Sequence, residues 1–182
     1  MAAAMMVSAQ SVVSGGISDH GYPISPVPFT SVKVNDTFWS HRLESARTTT
    51  IPLAFRKCEE SGRYENFIRA ASPSESYKVE GFPFDDTDVY KTIEGASYML
   101  QTYPDERMVA YIDSVLAIVA KAQEPDGYLN TSYTMNPKHP HNWMGPGRWD
   151  RVEELSHEFY NLGHMCRGFF EMARIVFLKR QK

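Results

Sequence analysis

The sequence predicts an all-α protein made of helical hairpins separated by long loops. Several stretches repeat apolar residues at steps of three and four, the period of an α-helix with one buried face. No series of short strands with alternating apolar and polar residues accompanies them. The 182 residues are 42% hydrophobic and 13% aromatic, a composition that is sufficient for a packed core.

Residues 1–28 are predicted to be a leader without packed structure. Ser, Gly and Pro dominate residues 11–28, a composition that favours an extended chain. The small residues before Gln10 resemble the end of a secretory signal, although the basic start of such a signal is missing. A clipped signal peptide implies a periplasmic or secreted protein, and a leader without a targeting role implies a cytoplasmic one. The helical domain is predicted over residues 29–182.

A short strand and a helix are predicted to open this domain. Residues 29–34 alternate apolar and polar side chains, which is typical of a strand. Asn35 or Asp36 then offers a side-chain oxygen to the first free backbone N–H groups of a helix. The three threonines of residues 48–50 are expected to interrupt that helix.

A second helix is predicted from Pro52 to Gly62. Proline is favoured in the first turn, where its missing N–H is not needed, and glycine is favoured just past the end of a helix. Residues 63–83 show no sustained period and contain several Ser, Gly and Pro residues. We therefore predict a long loop there, of the kind that is usually functional or disordered in compact domains.

Two further helices are predicted as an antiparallel hairpin. Asp85, Asp86 and Asp88 stand at the start of the first helix, where the simplest interpretation is N-capping. This helix should end near Tyr103, and a short link then leads to an amphipathic helix over residues 105–122. Helices joined by so short a link pack as antiparallel neighbours.

The remainder of the chain is predicted to be a turn, a loop and a long final helix. Residues 125–127 read Pro-Asp-Gly, in which proline presets φ and glycine takes the left-handed position of a turn. Residues 136–151 are rich in Pro, His, Gly and Trp and should form a loop. The final helix is predicted over Glu153–Lys182.

This final helix carries two stripes at helical spacing, one apolar and one polar. The apolar stripe is predicted to face the core and the polar stripe to line a cavity. The apolar stripe comprises Leu155, Phe159, Leu162, Cys166, Phe169, Phe170, Ala173, Val176 and Phe177, and the polar stripe comprises His157, Asn161, His164 and Glu171.

Charge and cysteine content exclude several classes of partner and scaffold. The formal net charge is −3, with both signs interspersed, so no basic surface is expected for nucleic acid. No apolar run approaches the ~20 residues that a membrane-spanning helix needs. Cys58 and Cys166 match no metal-binding spacing and are predicted to be small core residues.

His157 is the first candidate for a functional residue. It is predicted in the first turn of the last helix, where the helix dipole favours the neutral imidazole. A neutral imidazole both donates and accepts hydrogen bonds, which suits a sugar hydroxyl. The simpler alternative is a core or surface histidine with no function. Zinc binding is disfavoured, because His157 and His164 lie seven positions apart whereas the zincin motif needs four.

The acidic cluster and the loop aromatic residues allow a second interpretation. A glycosidase needs two carboxylates on either side of a sugar, about 5–9 Å apart, and the sequence does not show such a distance. Aromatic side chains in or near loops can stack on a sugar ring, although they can also form the rim of a core. They are Phe82, Phe84, Tyr128, Trp143 and Trp149.

In four ordered blocks, over residues 27–170 approximately, the sequence resembles the β-L-arabinofuranosidases of glycoside hydrolase family 127. The blocks are Asp36-Thr37-Phe38-Trp39 with the later Ile51-Pro52; Phe84-Asp85-Asp86-Thr87-Asp88-Val89-Tyr90-Lys91 with Glu94; Gln123 to Thr131, which contains Asp126-Gly127-Tyr128-Leu129; and Ser156-His157-Glu158-Phe159-Tyr160 with Gly163-His164.

The resemblance implies the N-terminal portion of an (α/α)6 barrel whose inner helices line a pocket. It implies a retaining mechanism in which a zinc-held cysteine thiolate attacks the anomeric carbon and a glutamate acts as acid/base. It also implies that His157 contacts the bound arabinofuranose and that Phe84 and Asp86 line the same pocket. Carbohydrate is the partner that it implies.

The same resemblance places the zinc ligands and both catalytic carboxylates downstream of the block around His157. Neither Cys58 nor Cys166 matches those positions. We therefore expect no catalytic residue, no metal site and no cofactor within this chain, and an uncertain activity for a fragment of this kind. Exposed apolar helix faces are expected to promote self-association. The alternative function is a non-catalytic helical module that binds sugar or a protein.

Overall fold

The computed structural model describes residues 27–179, with side chains described up to residue 175. Every regular element in this part of the chain is helical, and it contains no strand. Most of the predicted leader lies outside the described residues. The helices are α1 (Trp39–Ser45), a π-helical segment (Ala46–Thr50), α2 (Ile51–Glu60), α3 (Arg63–Ala70), α4 (Asp86–Thr102), α5 (Glu106–Ala122), α6 (Thr131–Thr134) and α7 (Glu158–Lys179).

The chain divides into two compact units between Lys33 and Val34. Within the first unit, Phe29–Ser31 forms a single 3-10 turn followed by extended backbone at Val32. The strand predicted over residues 29–34 is therefore wrong. An alternating segment becomes a strand only where another segment pairs with it, and the described part of the chain offers no strand.

The second unit begins with one continuous helical rod. The Oδ1 atom of Asp36 accepts hydrogen bonds from the backbone N atoms of Phe38 at 2.7 Å and Trp39 at 2.5 Å, which confirms the predicted cap. The threonines do not interrupt the rod, because they form the π-helical segment that joins α1 to α2. Thr48 donates its hydroxyl to the carbonyl of Glu44 at 2.8 Å, so its polar atom is satisfied inside the helix.

The loop predicted over residues 63–83 contains the two-turn helix α3. It follows Gly62, whose φ of 78° ends α2 as predicted. Helix α3 was not predicted because its buried face includes the polar Asn66, which interrupts the apolar period expected of a helix. The amide of Asn66 donates to the carbonyl of Glu80 and accepts from the N–H of Glu80, both at 2.9 Å. Two hydrogen bonds thus allow a polar side chain to be buried where an apolar one was expected.

The core lies between α2, α3, α4, α5 and α7. Helix α4 packs mainly against α7, and α5 packs mainly against α3. Helices α4 and α5, which the predicted short link joins, contact each other to a smaller extent. The amphipathic α5 is confirmed, since Ile112, Val115 and Val119 are fully buried. Gly168 allows α7 to approach α4 closely, because a Cβ atom there would lie 2.8 Å from the backbone oxygen of Tyr90.

Helix α7 faces the core mainly with the opposite stripe from the one predicted, although Phe169 of the predicted apolar stripe does pack against the core. Phe159 is 62% exposed and Phe170 is 54% exposed, and Leu155, Leu162 and Cys166 are exposed as well. The side chains of Val176 and Phe177 lie outside the described residues. The buried residues of α7 are Glu158, Asn161, Met165, Gly168, Glu171, Met172 and Ile175.

Partners on neighbouring elements explain this orientation of α7. Asn161 donates to the carbonyl of Pro83 at 2.7 Å, and Glu171 accepts from Gln101 at 2.9 Å, so buried polar atoms find hydrogen bonds. Of the two cysteines, Cys58 is buried as predicted and Cys166 is not. None of the helices in residues 27–179 has the length and apolar character needed to cross a membrane.

Candidate functional site

Three aromatic rings and one imidazole form a contiguous cluster beside the start of α7. The rings of Phe82 and Phe84 stack with centroids 5.3 Å apart, and Phe82 stacks on Trp143 at 5.2 Å. The His157 ring lies 4.9 Å from Phe84 and 6.5 Å from Trp143. Two of the predicted site residues, Phe84 and His157, are therefore in direct contact, and we call this group the aromatic cluster.

His157 occupies the position immediately before α7 rather than its first turn. Its φ is 56°, a left-handed conformation that few residues other than glycine adopt. Such conformations persist only where the surroundings enforce them, and they concentrate at functional sites. The Nδ1 atom lies 2.5 Å from the carbonyl oxygen of Leu155, which can only accept, so Nδ1 carries the proton. In the neutral ring Nε2 is then an acceptor.

The buried carboxylate of Glu158 holds this strained backbone in place. Glu158 is 2% exposed. It accepts hydrogen bonds from the Tyr128 hydroxyl at 2.6 Å, the Trp149 backbone N at 3.0 Å and the Ser156 hydroxyl at 2.9 Å. Trp149, with φ of 69°, is the other non-glycine residue with positive φ among those described. Burial, with the carboxylate beside it, raises the pKa of Tyr128, which therefore stays protonated as a donor.

No separate role for Glu158 was predicted from the sequence. It was visible only as one residue of the block around His157, because two of its three hydrogen-bond donors, Tyr128 and Trp149, lie outside that block. The predicted aromatic residues fall into two groups. Tyr128 and Trp149 contact each other with centroids 5.3 Å apart, and they adjoin Glu158 instead of stacking within the aromatic cluster.

Asp86 lies at the start of α4, and its contacts are with α6. Its Oδ2 atom accepts from the N–H of Thr131 at 2.8 Å and its Oδ1 atom from the hydroxyl of the same residue at 2.6 Å. These bonds tie α6 to α4. Burial raises the pKa of Asp86 from 3.8 to about 6. A role for Asp86 in binding substrate stays a prediction.

Because the pKa of Asp86 is higher in the folded chain than in the unfolded chain, the folded state binds this proton more tightly. The stability that the protonated Asp86 contributes is therefore fully present below about pH 4 and is lost as the pH rises through about 6.

The N-capping role predicted for the acidic cluster is wrong, because no side chain caps α4. Asp85 instead accepts from the backbone N of Phe82 at 2.9 Å and pairs with Arg63 at 2.9 Å. Asp88 pairs with the same Arg63 at 3.3 Å and with Lys91 at 3.5 Å. The backbone of Asp85 is itself helical, which removes it from the geometry that a cap requires. Its carboxylate therefore fixes the turn that presents Phe82 to the aromatic cluster.

The predicted Pro-Asp-Gly turn is confirmed and anchors the following loop. Gly127 has a φ of 90°, and its N–H donates to the carbonyl of Glu124 at 2.8 Å. Arg148 pairs with both Glu124 and Asp126. Its guanidinium also lies 4.1 Å from the ring centroid of Tyr128, an arrangement that adds a cation–π contact. These contacts of Arg148 hold its loop next to Tyr128, whose hydroxyl donates to Glu158.

The described residues do not fit a zinc-held thiolate. They contain no group of three or more His, Cys, Asp or Glu side chains that is arranged to hold a metal ion. Cys58 is buried with its sulfur 4.0 Å from the hydroxyl of Thr92, and burial raises the pKa of its thiol. A raised pKa opposes formation of the thiolate nucleophile. Cys166 is exposed on α7.

Stacked aromatic rings beside an imidazole can bind a sugar, because the rings offer apolar faces and the imidazole offers a hydrogen-bonding group. The comparisons define the family. The family model described as the beta-L-arabinofuranosidase GH127 catalytic domain matches residues 31–176. This chain belongs to that family, and the all-α fold predicted as part of an (α/α)6 barrel is confirmed.

Two relatives illustrate the similarity. Over 97 residues the chain is 34% identical to the non-reducing end beta-L-arabinofuranosidase of Bifidobacterium longum subsp. longum, covering 53% of this chain and 14% of that protein. A solved structure of a GH127 beta-arabinofuranosidase matches with a TM-score of 0.83 and 72% identity, covering 86% of this chain and 25% of that one. The chain thus spans a quarter or less of the length of these relatives.

Proposed function

We propose that this chain forms one wall of the sugar site of a retaining glycosidase that releases terminal β-L-arabinofuranosyl residues from plant-type glycans. The observation that carries the proposal is the contact between His157 and Phe84, two residues from separate family blocks whose rings lie 4.9 Å apart. Family membership supplies the reaction class.

The chemistry of the aromatic cluster suits a furanose. Aromatic faces bind the C–H surface of a sugar, while a polar group at their edge selects its hydroxyl groups. In the cluster, Phe84 and Trp143 supply the faces. The Nε2 atom of His157 accepts a hydrogen bond from a sugar hydroxyl, because Nδ1 is already used by the carbonyl of Leu155.

The energetic reason for the strained backbone at His157 is pre-organisation. The left-handed conformation costs roughly 1–3 kcal/mol, and the carboxylate of Glu158 offsets it through the hydrogen bonds described above. The imidazole is therefore held against Phe84 before a ligand arrives, and the entropy cost of binding is reduced.

Titration of methyl β-L-arabinofuranoside tests the proposal. Tryptophan fluorescence is the signal, because Trp143, one of the three tryptophans, belongs to the aromatic cluster. His157→Ala should weaken binding by about fivefold or more, the loss expected from one hydrogen bond and one ring contact. Replacement of the exposed His41 by Ala is the matched control and should leave the affinity unchanged. Unchanged affinity in His157→Ala would refute the proposal.

Turnover is a separate measurement. Hydrolysis of a chromogenic β-L-arabinofuranoside by this chain, with and without added zinc, locates the nucleophile. We expect no zinc-dependent hydrolysis by the chain alone, because neither of its cysteines fits a zinc-held thiolate. Zinc-dependent activity would contradict that assignment.

A further inference from the structure

A cavity of about 220 Å³, separate from the aromatic cluster, lies between residues 77–79 and residues 132–141. It is smaller than a typical drug-binding pocket, and its size suits a single sugar unit. The lining includes Tyr77, Val79, Ser132, Asn136 and His141.

The walls of this cavity are fixed by hydrogen bonds. The side chain of Asn136 is 3% exposed. It donates to the carbonyl groups of Glu75 at 2.9 Å and Tyr77 at 3.1 Å, and it accepts from the N–H of His139 at 3.2 Å. The backbone N of Ser74 also donates to the carbonyl of Met135 at 2.9 Å. One buried amide therefore holds both sides of the cavity in register.

Two polar groups of the lining have capacity for a ligand. Ser132 is 2% exposed, and its hydroxyl has no hydrogen-bond partner in the described part of the chain. A buried hydroxyl without a partner is costly, so its presence needs a reason. The Nδ1 atom of His141 accepts from the backbone N of Trp143 at 3.2 Å, which places the proton of the neutral ring on Nε2.

The lining favours a neutral ligand over an anion. Burial lowers the pKa of His141, so its ring is neutral at pH 7. The exposed Lys78 contributes the only fixed positive charge among the described lining residues. Groups that both donate and accept, such as sugar hydroxyls, match an Nε2–H donor and a serine hydroxyl.

The cavity adjoins the aromatic cluster through a single ring contact. The rings of His141 and Trp143 meet edge to face with centroids 5.3 Å apart, and Trp143 belongs to the cluster. We propose that this cavity is a second subsite, which binds the sugar unit next to the terminal one through the hydroxyl of Ser132 and the Nε2–H of His141. This inference rests on the proposed function, which places the terminal sugar on the aromatic cluster.

The test compares two ligands by calorimetric titration of the chain. The ligands are methyl β-L-arabinofuranoside, which reaches the terminal site only, and a β-linked disaccharide of L-arabinofuranose, which reaches both. The disaccharide should bind the wild type more tightly. Ser132→Ala and His141→Phe should each lower the ratio of disaccharide to monosaccharide affinity by about three- to tenfold, the loss expected from one hydrogen bond.

The controls separate this inference from the proposed function. His41→Phe makes the same change at an exposed histidine on α1 and should leave the ratio unchanged. A wild-type protein that binds both ligands equally, or a ratio that neither cavity substitution lowers, would overturn the second subsite alone. Failure of the wild type to bind either ligand would overturn the proposed function and this subsite with it.

Discussion

Replacement of Glu158 by Ala tests whether one buried carboxylate holds the strained start of α7. The substitution removes the acceptor for the Tyr128 hydroxyl, the Trp149 N–H and the Ser156 hydroxyl. Each buried donor without a partner costs about 1–3 kcal/mol. Because the two hydroxyl groups can rotate toward other acceptors, we take the lower end for each, which gives a loss of about 3 kcal/mol in the free energy of unfolding.

Glu158→Gln should be much milder. The remaining carbonyl oxygen can accept from Tyr128, and the new NH2 group can donate to the hydroxyl of Ser156, which reverses its role. We expect a loss of about 1 kcal/mol, the net value of one hydrogen bond. In both variants the affinity for methyl β-L-arabinofuranoside should fall in the same order as the stability, because relaxation at His157 moves its imidazole away from Phe84.

Urea denaturation followed by circular dichroism at 222 nm measures the stability. In thermal unfolding of a chain of this size, a loss of 3 kcal/mol corresponds to a fall of roughly 6–12 °C in Tm. Glu153→Ala is the matched control, since Glu153 is exposed in the turn before α7 and should change the stability by less than about 0.5 kcal/mol. A Glu158→Ala variant as stable as this control would refute the reasoning.

Three further predictions follow from packing, burial and exposure. Gly168→Ala should destabilise the fold by about 1–3 kcal/mol, because the new Cβ clashes with the backbone of Tyr90. Gly163→Ala has open space around it and should stabilise the fold by up to about 1 kcal/mol. Equal effects of the two substitutions in urea denaturation would contradict the packing of α7 on α4. The wild type should lose about 3 kcal/mol of stability as the pH rises from 4 to 6, and Asp86→Asn should abolish this loss. Parallel pH profiles of the two proteins would contradict this. The exposed Phe170 predicts concentration-dependent association in sedimentation velocity, reduced by Phe170→Ser; a wild-type monomer at every concentration would contradict it.

Local signals in the sequence were sufficient where the partners lie close together in the chain. Asp36 caps α1 through N–H groups two and three residues ahead, and the turn at Gly127 is closed by Glu124. The end of α2 at Gly62 follows the same logic. The start predicted at Pro52 does not, because the π-helical segment joins α1 to α2 without a break. In each confirmed case the backbone geometry depends on one residue type at one position, so a single sequence shows it.

Predictions failed where the decisive partner lies far away in the chain. The acidic residues before α4 resemble caps, but Asp85 meets Arg63 and Asp86 meets Thr131. Helix α3 was predicted as loop because its buried Asn66 is polar, and its hydrogen-bond partner, Glu80, lies fourteen positions away. Local pattern cannot reveal that a polar side chain is satisfied by a distant backbone group.

The aromatic cluster shows both sides of this limit. The residue types at Phe84 and His157 were identified from the sequence because the family blocks contain them. Their contact at 4.9 Å, and the left-handed backbone that permits it, depend on Glu158 and its three donors. The cavity between residues 77–79 and residues 132–141 was not foreseen, since these two segments lie far apart in the sequence and meet only in the fold.

The sequence by itself determined the helical class, the family, several helix ends and the identity of two residues of the candidate site. Periodicity, capping chemistry and glycine positions are local properties, and they survive without coordinates. Only the tertiary structure decided which stripe of α7 faces the core. Both stripes have helical spacing, so the choice depends on partners in α4 and in the segment before it. They are the backbone of Tyr90, which Gly168 approaches closely, the carbonyl of Pro83 for Asn161 and the amide of Gln101 for Glu171.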